Sequence, residues 1–82
     1  MSTHVYRVRS GADLGRVVRD ARSERGLTQQ QVVDQLGLGF DRSRLARIEA
    51  GEGMQSLDRA LSVLRRLGVE VSATIPMAGE GK

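Results

Sequence analysis

Apolar residues recur at helical spacing through most of the first 68 positions of the chain. In the first such segment, four apolar residues share one helical face at i, i+3, i+4 and i+7: Leu14, Val17, Val18 and Ala21. Ser10 and Asp13 before them form a variant of the capping box. Gly26 is placed to end the helix in a left-handed conformation. The pattern predicts a first helix between Ser10 and Gly26.

Two shorter helices are predicted between Gly26 and Gly51. Thr28 caps the first of them, and Gln31 three residues later completes a capping box. Asp41 is the expected cap of the next helix. The inner faces of these two helices consist of Val32, Val33 and Leu36, and of Leu45 and Ile48. Gly37 and Gly39 lie in the turn that connects them, so the segment predicts two helices joined by a glycine-containing turn.

A fourth helix is predicted to begin at Ser56 and to end at Gly68. Its inward apolar positions are Leu57, Ala60, Leu61, Leu64 and Leu67. The period of the pattern then changes, because residues 69–75 alternate between apolar and polar types. Such alternation, bounded by Gly68 and Pro76, predicts a β-strand.

The predicted strand requires a partner, since an unpaired strand leaves its backbone donors and acceptors unsatisfied. The same strand of a second copy, related by a two-fold axis, is one candidate. Residues 3–9, which also alternate roughly with period two, are the competitor. We favour the second copy, with a dimer interface formed by Val69, Val71, Ala73 and Ile75. The expected fold class is all-α, with four to five short helices and a C-terminal β-strand that pairs across a dimer.

Eighty-two residues predict one small domain, for which dimerisation is a common additional source of stability. We divide the chain into an N-terminal arm or short strand (1–9), a helical domain (10–68), a dimerising strand (69–76) and a flexible tail (77–82). An apolar run long enough to cross a membrane and a secretory signal are both missing from the sequence, which favours a cytoplasmic protein.

Charge and chemistry point to a binding protein rather than an enzyme. The net charge is +3, and Lys82 is the only lysine, so the basic side chains are almost all arginines. Arginine presents paired donors that suit phosphate and guanine. The chain has no cysteine, and His4 is its only histidine, which argues against a metal site or a catalytic base. We therefore expect no cofactor, no metal and no catalysis.

Two stretches resemble the Cro/cI-type helix-turn-helix family, also called the Xre family. RGLTQQQVVDQLG covers the end of the first helix and the second helix, and SRLARIEAG covers the third helix. The strongest marks are the Thr28-Gln29 pair and the Ile48-Glu49 pair. The resemblance extends over residues 12–68 and implies a repressor that binds double-stranded DNA through its third helix. One departure is a pair of extra residues between the second and third helices.

A narrower resemblance rests on the segment RRLGVEVSATI, in which a helix leads directly into a strand. This order, and the length of the chain, are similar to HipB-type antitoxins. Such proteins repress their own operon and bind a HipA-type kinase toxin, so the resemblance implies a homodimer with a pseudo-palindromic operator and a HipA-like partner. The alternatives are a stand-alone or phage-type regulator, and a toxin-neutralising interaction module for which DNA binding is secondary.

The candidate DNA-binding residues lie at the starts of the second and third helices. They are Thr28, Gln29, Gln30, Arg42, Ser43, Arg44, Ala46 and Arg47. The resemblance assigns Gln29 a phosphate contact and gives Glu49 a role in stabilising the fold. An arginine in the first turn of the third helix can bind guanine, and a methyl group at Ala46 can contact thymine. The alternatives are that Gln29 is an ordinary polar residue and that the arginines form a solvated face paired with Asp41 and Glu49.

Overall fold

The computed structural model describes residues 3–76, which form four helices and a two-stranded sheet. The elements in chain order are β1 (Thr3–Arg7), α1 (Gly11–Glu24), α2 (Gln29–Leu36), α3 (Arg42–Glu49), α4 (Gln55–Arg66) and β2 (Ser72–Pro76). The prediction of four short helices followed by a C-terminal strand is confirmed. The predicted tail, residues 77–82, lies outside the described residues.

Three of the four predicted helix caps are present. The Ser10 hydroxyl accepts a hydrogen bond from the backbone N–H of Asp13 at 3.2 Å. Thr28 and Gln31 form the complete capping box of α2. The Asp41 carboxylate accepts from the backbone N–H of Arg44 at 3.0 Å. These side chains satisfy donors that the first turn of a helix cannot pair internally, so each helix begins where its cap permits.

The predicted cap of the fourth helix is wrong. Helix α4 begins at Gln55, one residue before Ser56, and its N-cap residue Met54 makes no side-chain hydrogen bond to the first turn. The Met54 side chain instead packs against Gly11, where an added Cβ would lie 2.5 Å from the Met54 Cβ atom. Packing against α1 therefore decides where α4 begins, rather than local hydrogen-bonding chemistry.

The two strands pair with each other in an antiparallel register. Thr3 lies opposite Pro76 and Arg7 opposite Ser72, and the backbone N–H of Val8 donates to the carbonyl of Val71 at 2.8 Å. Within the chain, the N-terminal segment is thus the partner of the C-terminal strand on one edge. Pairing with a second copy would have to use the opposite edge of β2.

The strand itself is shorter than predicted. It begins at Ser72 rather than at Val69, and Val69 is exposed before it. Ile75 is buried, while Val71 and Ala73 are half-buried. The residues directly after α4 turn the chain back toward β1, which takes Val69 out of the alternating face.

The core is small and lies between the helices and the sheet. Its buried apolar residues come from α2, α3, α4, β2 and the segment between β1 and α1: Val32, Leu45, Leu61, Ile75 and Val8. The predicted apolar face of α1 is half-buried, and the fully buried positions of that helix are Gly11 and Gly15. A Cβ on Gly15 would lie 2.3 Å from the carbonyl oxygen of Ile48. Helices α1 and α3 are therefore in backbone contact at this glycine.

Three predicted core residues face outward instead. Leu36 is 64% exposed, Leu67 is 72% exposed, and Ala60 is exposed. Leu36 is the last residue of α2, directly before the left-handed Gly37 that ends the helix. At 3.6 residues per turn, Leu67 lies about 120° around α4 from the buried Leu61. None of the helices formed by residues 3–76 has the length and apolar character needed to span a bilayer.

Candidate nucleic-acid interface

Helices α2 and α3 form a helix-turn-helix with a lengthened turn. Gly37 ends α2 in the left-handed conformation at φ 57°, and Gly39 is also left-handed at φ 79°. Only glycine adopts such angles without a steric cost, so the two positions fold the turn. The two extra residues are accommodated between Gly37 and the cap Asp41. Both helices keep their own caps, and α2 packs against α3.

One end of α3 presents its polar side chains to solvent. Arg42, Ser43 and Arg44 of the first turn are exposed, whereas Leu45 directly after them is only 3% exposed and holds the helix against the core. Arg47 is exposed one turn later, and Ala46 beside it is half-buried. The predicted inner face of this helix is confirmed, with Leu45 buried and Ile48 half-buried.

The carboxylates proposed to neutralise the α3 arginines have other partners. The Asp41 carboxylate caps the helix through the Arg44 backbone, and Glu49 points toward α1. Arg47 pairs instead with Glu52, in the loop after the helix, at 3.3 Å. Both side chains of that pair are more than half exposed, and such surface pairs contribute little to stability. A solvated face paired with Asp41 and Glu49 is therefore not what the structure contains.

The start of α2 lies beside the start of α3. The side-chain amide nitrogen of Gln29 donates to Glu49 Oε1 at 3.0 Å, and its amide oxygen accepts from Arg42 Nη1 at 3.4 Å. Gln29 thus bridges the two helices. Gln30, one residue later, donates to Asp34 at 2.9 Å on the exposed side of the same helix. Thr28 is exposed and serves as the cap.

A nearly buried ion pair lies beneath this surface. Arg22 of α1 donates from Nε to Glu49 Oε2 at 2.7 Å and from Nη2 to Glu49 Oε1 at 2.9 Å. The side chains are only 17% and 5% exposed, respectively. Arg22 also donates from Nη1 to the carbonyl of Leu27 at 2.9 Å. The pair joins α1 to the end of α3 and to the loop before α2, which agrees with the stabilising role expected of Glu49.

The hydrogen bonds from Arg22 lower the pKa of Glu49, because they stabilise the ionised carboxylate, and Gln29 adds to this effect. Burial acts in the opposite direction but is outweighed. The same pairing raises the pKa of Arg22. Both groups are therefore charged at neutral pH, and each compensates the buried charge of the other.

Sequence reasoning missed Arg22, which falls among the α1 arginines and reads as a solvated residue. Its partner Glu49 is 27 residues away, so no local pattern connects the two. The same holds for Asp58 of α4, whose carboxylate accepts a hydrogen bond from the backbone N–H of Gly11 across 47 residues. A single sequence contains no signal for such long-range partners. They become visible only when the helices are packed.

The sheet lies away from this surface and is joined to α1. The Tyr6 hydroxyl donates to Asp20 Oδ2 at 2.7 Å, which raises the pKa of Tyr6 because the bond favours the protonated phenol. The His4 ring packs beside the Tyr6 ring at 4.5 Å. Among residues 3–76, no group of three or more histidine, cysteine, aspartate or glutamate side chains is arranged to hold a metal ion.

The helix-turn-helix and its exposed basic helix define a class of DNA-binding transcriptional regulators. Residues 13–74 match the family described as helix-turn-helix domain, and the chain belongs to that family. It is also 30% identical, over 70 residues, to y4mF of Sinorhizobium fredii (strain NBRC 101917 / NGR234), an "uncharacterized HTH-type transcriptional regulator". The match covers 85% of this chain and 90% of that protein. No solved structure matches the chain.

Proposed function

We propose that this protein is a sequence-specific transcriptional repressor that binds a pseudo-palindromic operator as a homodimer. The proposal depends above all on one observation: Arg42, Ser43 and Arg44 are exposed at the start of α3, while Leu45 directly after them is buried and holds that helix against the core. A helix held from behind, with its first turn free, fits the major groove. Two copies would place two such helices in successive major grooves, roughly 34–36 Å apart or a multiple of that.

We assign the contacts by side-chain chemistry. Arg42 and Arg44 present paired donors that suit O6 and N7 of guanine, and Ser43 lies between them with a hydroxyl that can bond to a base edge or a phosphate. The Ala46 methyl group suits the methyl group of thymine. Arg47 lies one turn further along α3 and is assigned to a phosphate.

The start of α2 is assigned to the DNA backbone. The backbone N–H groups at the start of a helix and the positive end of its dipole favour a phosphate. Gln29 and Gln30 have amides that can donate to the same group, and the Thr28 hydroxyl is close to it. These contacts orient the protein on the duplex without reading the sequence.

The DNA surface is tested by titrating double-stranded DNA from the region immediately upstream of the protein's own coding sequence. Replacing Arg42 or Arg44 with alanine should weaken binding by about 1–3 kcal/mol, with relaxed preference at one position, if the side chain reads a base. A phosphate contact would instead weaken all sequences alike and reduce the salt slope by about one. Unchanged affinity in both variants at fixed salt would remove α3 from the interface.

The proposed dimer is supported by exposed apolar side chains that come before the C-terminal strand in the sequence. Val63 and Leu67 of the α4 region and Val69 after it are 56%, 72% and 43% exposed. Residues 3–76 leave these side chains exposed, and within that range β2 pairs with β1 on only one of its edges. A two-fold partner that joins β2 through its other edge would cover both features, with Val69, Val71, Ala73 and Ile75 at or beside the interface.

Dimerisation is tested by sedimentation equilibrium. Leu67→Asp places a charge on an exposed apolar position, so we expect weaker dimerisation with an unchanged circular dichroism spectrum. Proline at Thr74, whose N–H faces away from β1 in this register, removes a donor from the other edge of β2 and should also weaken the dimer. Leu38→Asp, at another exposed apolar residue far from β2 in sequence, is the control. A Leu67→Asp variant that dimerises as well as the parent protein would contradict this interface.

Within this class, we propose that the protein is a HipB-type antitoxin that represses its own operon and binds a HipA-like kinase. The supporting features are the resemblance to that family and a C-terminal strand that follows the fourth helix after residues 67–71. The expected gene neighbour is a coding sequence for a kinase of this kind. Co-expression should yield a stable complex that survives gel filtration, and a neighbouring kinase that elutes separately would leave a stand-alone regulator as the function.

A further inference from the structure

The buried ion pair and the proposed DNA surface are joined by a continuous set of hydrogen bonds. Glu49 Oε1 accepts both from Arg22 Nη2 at 2.9 Å and from the Gln29 amide at 3.0 Å. The other end of the Gln29 amide accepts from Arg42 at 3.4 Å. The connection therefore runs from α1 through the end of α3 and the start of α2 to the first residue of α3.

The orientation of the Gln29 amide follows from these partners. A carboxylate can only accept hydrogen bonds, so Glu49 requires the NH₂ end of the amide to face it. The amide oxygen is then directed to the opposite side, where a guanidinium is a suitable donor. A buried carboxylate thus fixes which end of Gln29 is available to Arg42. The Glu49 side chain is itself held by two hydrogen bonds from Arg22, so it has little freedom to reorient.

We propose that Glu49 is a positioning residue for DNA recognition: through Gln29 it holds the exposed Arg42 side chain in the orientation used at the operator. This inference rests on the proposed DNA-binding function and adds to it a source of pre-organisation. A free arginine side chain must lose several rotamers to form one contact, and a side chain that is already held loses fewer. Gln29 accordingly bridges the core to the surface in addition to any phosphate contact of its own.

A purely structural role for Glu49 makes a different prediction. If Glu49 only stabilised the fold, its replacement would lower stability, and its effect on operator affinity would be the same whichever residue occupies position 42. Coupling between two sites through a shared hydrogen-bond network appears as a failure of their effects to multiply. The experiment is therefore a double-mutant cycle on operator affinity, made at a temperature where circular dichroism shows every variant folded.

The cycle combines Glu49→Gln with Arg42→Ala, and the control cycle combines Glu49→Gln with Arg47→Ala. Arg47 is on the same helix and exposed, but its guanidinium pairs with Glu52. We expect Glu49→Gln alone to weaken binding by about fivefold to tenfold. In the Arg42→Ala background the same change should cost less than about twofold, because no Arg42 side chain is left to position. In the Arg47→Ala background it should keep its full effect.

The outcomes separate this inference from the proposed function. Equal costs of Glu49→Gln in both backgrounds, or no cost at all in the folded protein, would overturn the positioning role while leaving the DNA surface intact. If Arg42→Ala alone leaves operator affinity unchanged, Arg42 is not a DNA contact and the positioning role fails; the assignment of α3 to DNA fails only if Arg44→Ala is also without effect.

A second cycle covers the case in which Glu49→Gln does not fold. Gln29→Met leaves the Arg22–Glu49 pair in place and removes only the bridge. The loss of operator affinity caused by Gln29→Met should also be smaller in the Arg42→Ala background. If Gln29 only contacted a phosphate, the affinity losses of the two substitutions would multiply, and Gln29→Met would lower the salt slope by about one. A fully multiplicative result in this cycle overturns the inference.

Discussion

The contact between α1 and α3 predicts that Gly15→Ala destabilises the protein, although alanine normally favours a helix. An added Cβ would lie 2.3 Å from the carbonyl oxygen of Ile48 and 2.9 Å from that of Glu49. Both neighbours are backbone atoms, which cannot rotate away as a side-chain end can. The helices must therefore move apart, and the end of α3 must move with them.

The magnitude follows from two opposing effects. Overpacking in a well-packed region costs about 1–3 kcal/mol, and a 2.3 Å contact with backbone belongs at the upper end of that range. Replacing glycine by alanine within a helix stabilises the helix by about 1 kcal/mol, because alanine has the higher helix propensity. The net expectation is a loss of about 1–2 kcal/mol, which for a domain of this size lowers Tm by about 4–16 °C.

The assay is urea and thermal unfolding at one fixed protein concentration, since the proposed dimer would make Tm depend on concentration. Ser23→Ala is the matched control, because it adds alanine to an exposed position of the same helix and should change stability by less than about 0.5 kcal/mol. A Gly15→Ala variant as stable as the parent protein, or more stable, would refute the backbone contact. Operator affinity should also fall in this variant below its Tm, because α3 is displaced.

Three further predictions concern the contacts that join the elements. The pKa of Glu49 is lowered in the folded chain, so the ionised Glu49 stabilises the fold fully above the ordinary carboxyl pKa, and this stabilisation is lost as pH falls through the folded-state pKa. The urea midpoint of unfolding should therefore fall on acidification, and it should fall less steeply in Glu49→Gln. Asp58→Ala removes the acceptor for the Gly11 N–H and should cost about 0.5–2 kcal/mol in urea unfolding. Tyr6 is the only tyrosine, so its ultraviolet titration should show a pKa above the ordinary value, and Asp20→Asn should shift it back.

Each of these predictions has a contrary outcome. An acid transition equally steep in Glu49→Gln would mean that other carboxylates govern it. Asp58→Asn keeps a side-chain oxygen as acceptor and should be milder than Asp58→Ala; equal losses would show that the Gly11 contact is not what Asp58 contributes. A Tyr6 titration that is the same in the parent protein and in Asp20→Asn would mean that the two side chains do not meet in solution.

The sequence by itself determined the local elements of this protein. Caps and turns depend on residues within three or four positions of each other, so the sequence predicted the caps at Thr28 with Gln31 and at Asp41, and a turn at Gly37. The same local logic indicated which side of α3 is polar, because Leu45 and Ile48 fix its inner face. The helix-turn-helix and the candidate DNA-binding residues were accessible for this reason.

Tertiary packing alone decided what depends on distant segments. The pairing of Arg22 with Glu49 and of Asp58 with Gly11 joins residues 27 and 47 positions apart, which no periodicity encodes. The start of α4 at Gln55 rather than Ser56, the outward position of Leu67, and the choice of β1 as a partner for β2 were settled in the same way. In each case the local sequence favours the alternatives about equally. The outcome depends on which surfaces pack together in the folded chain.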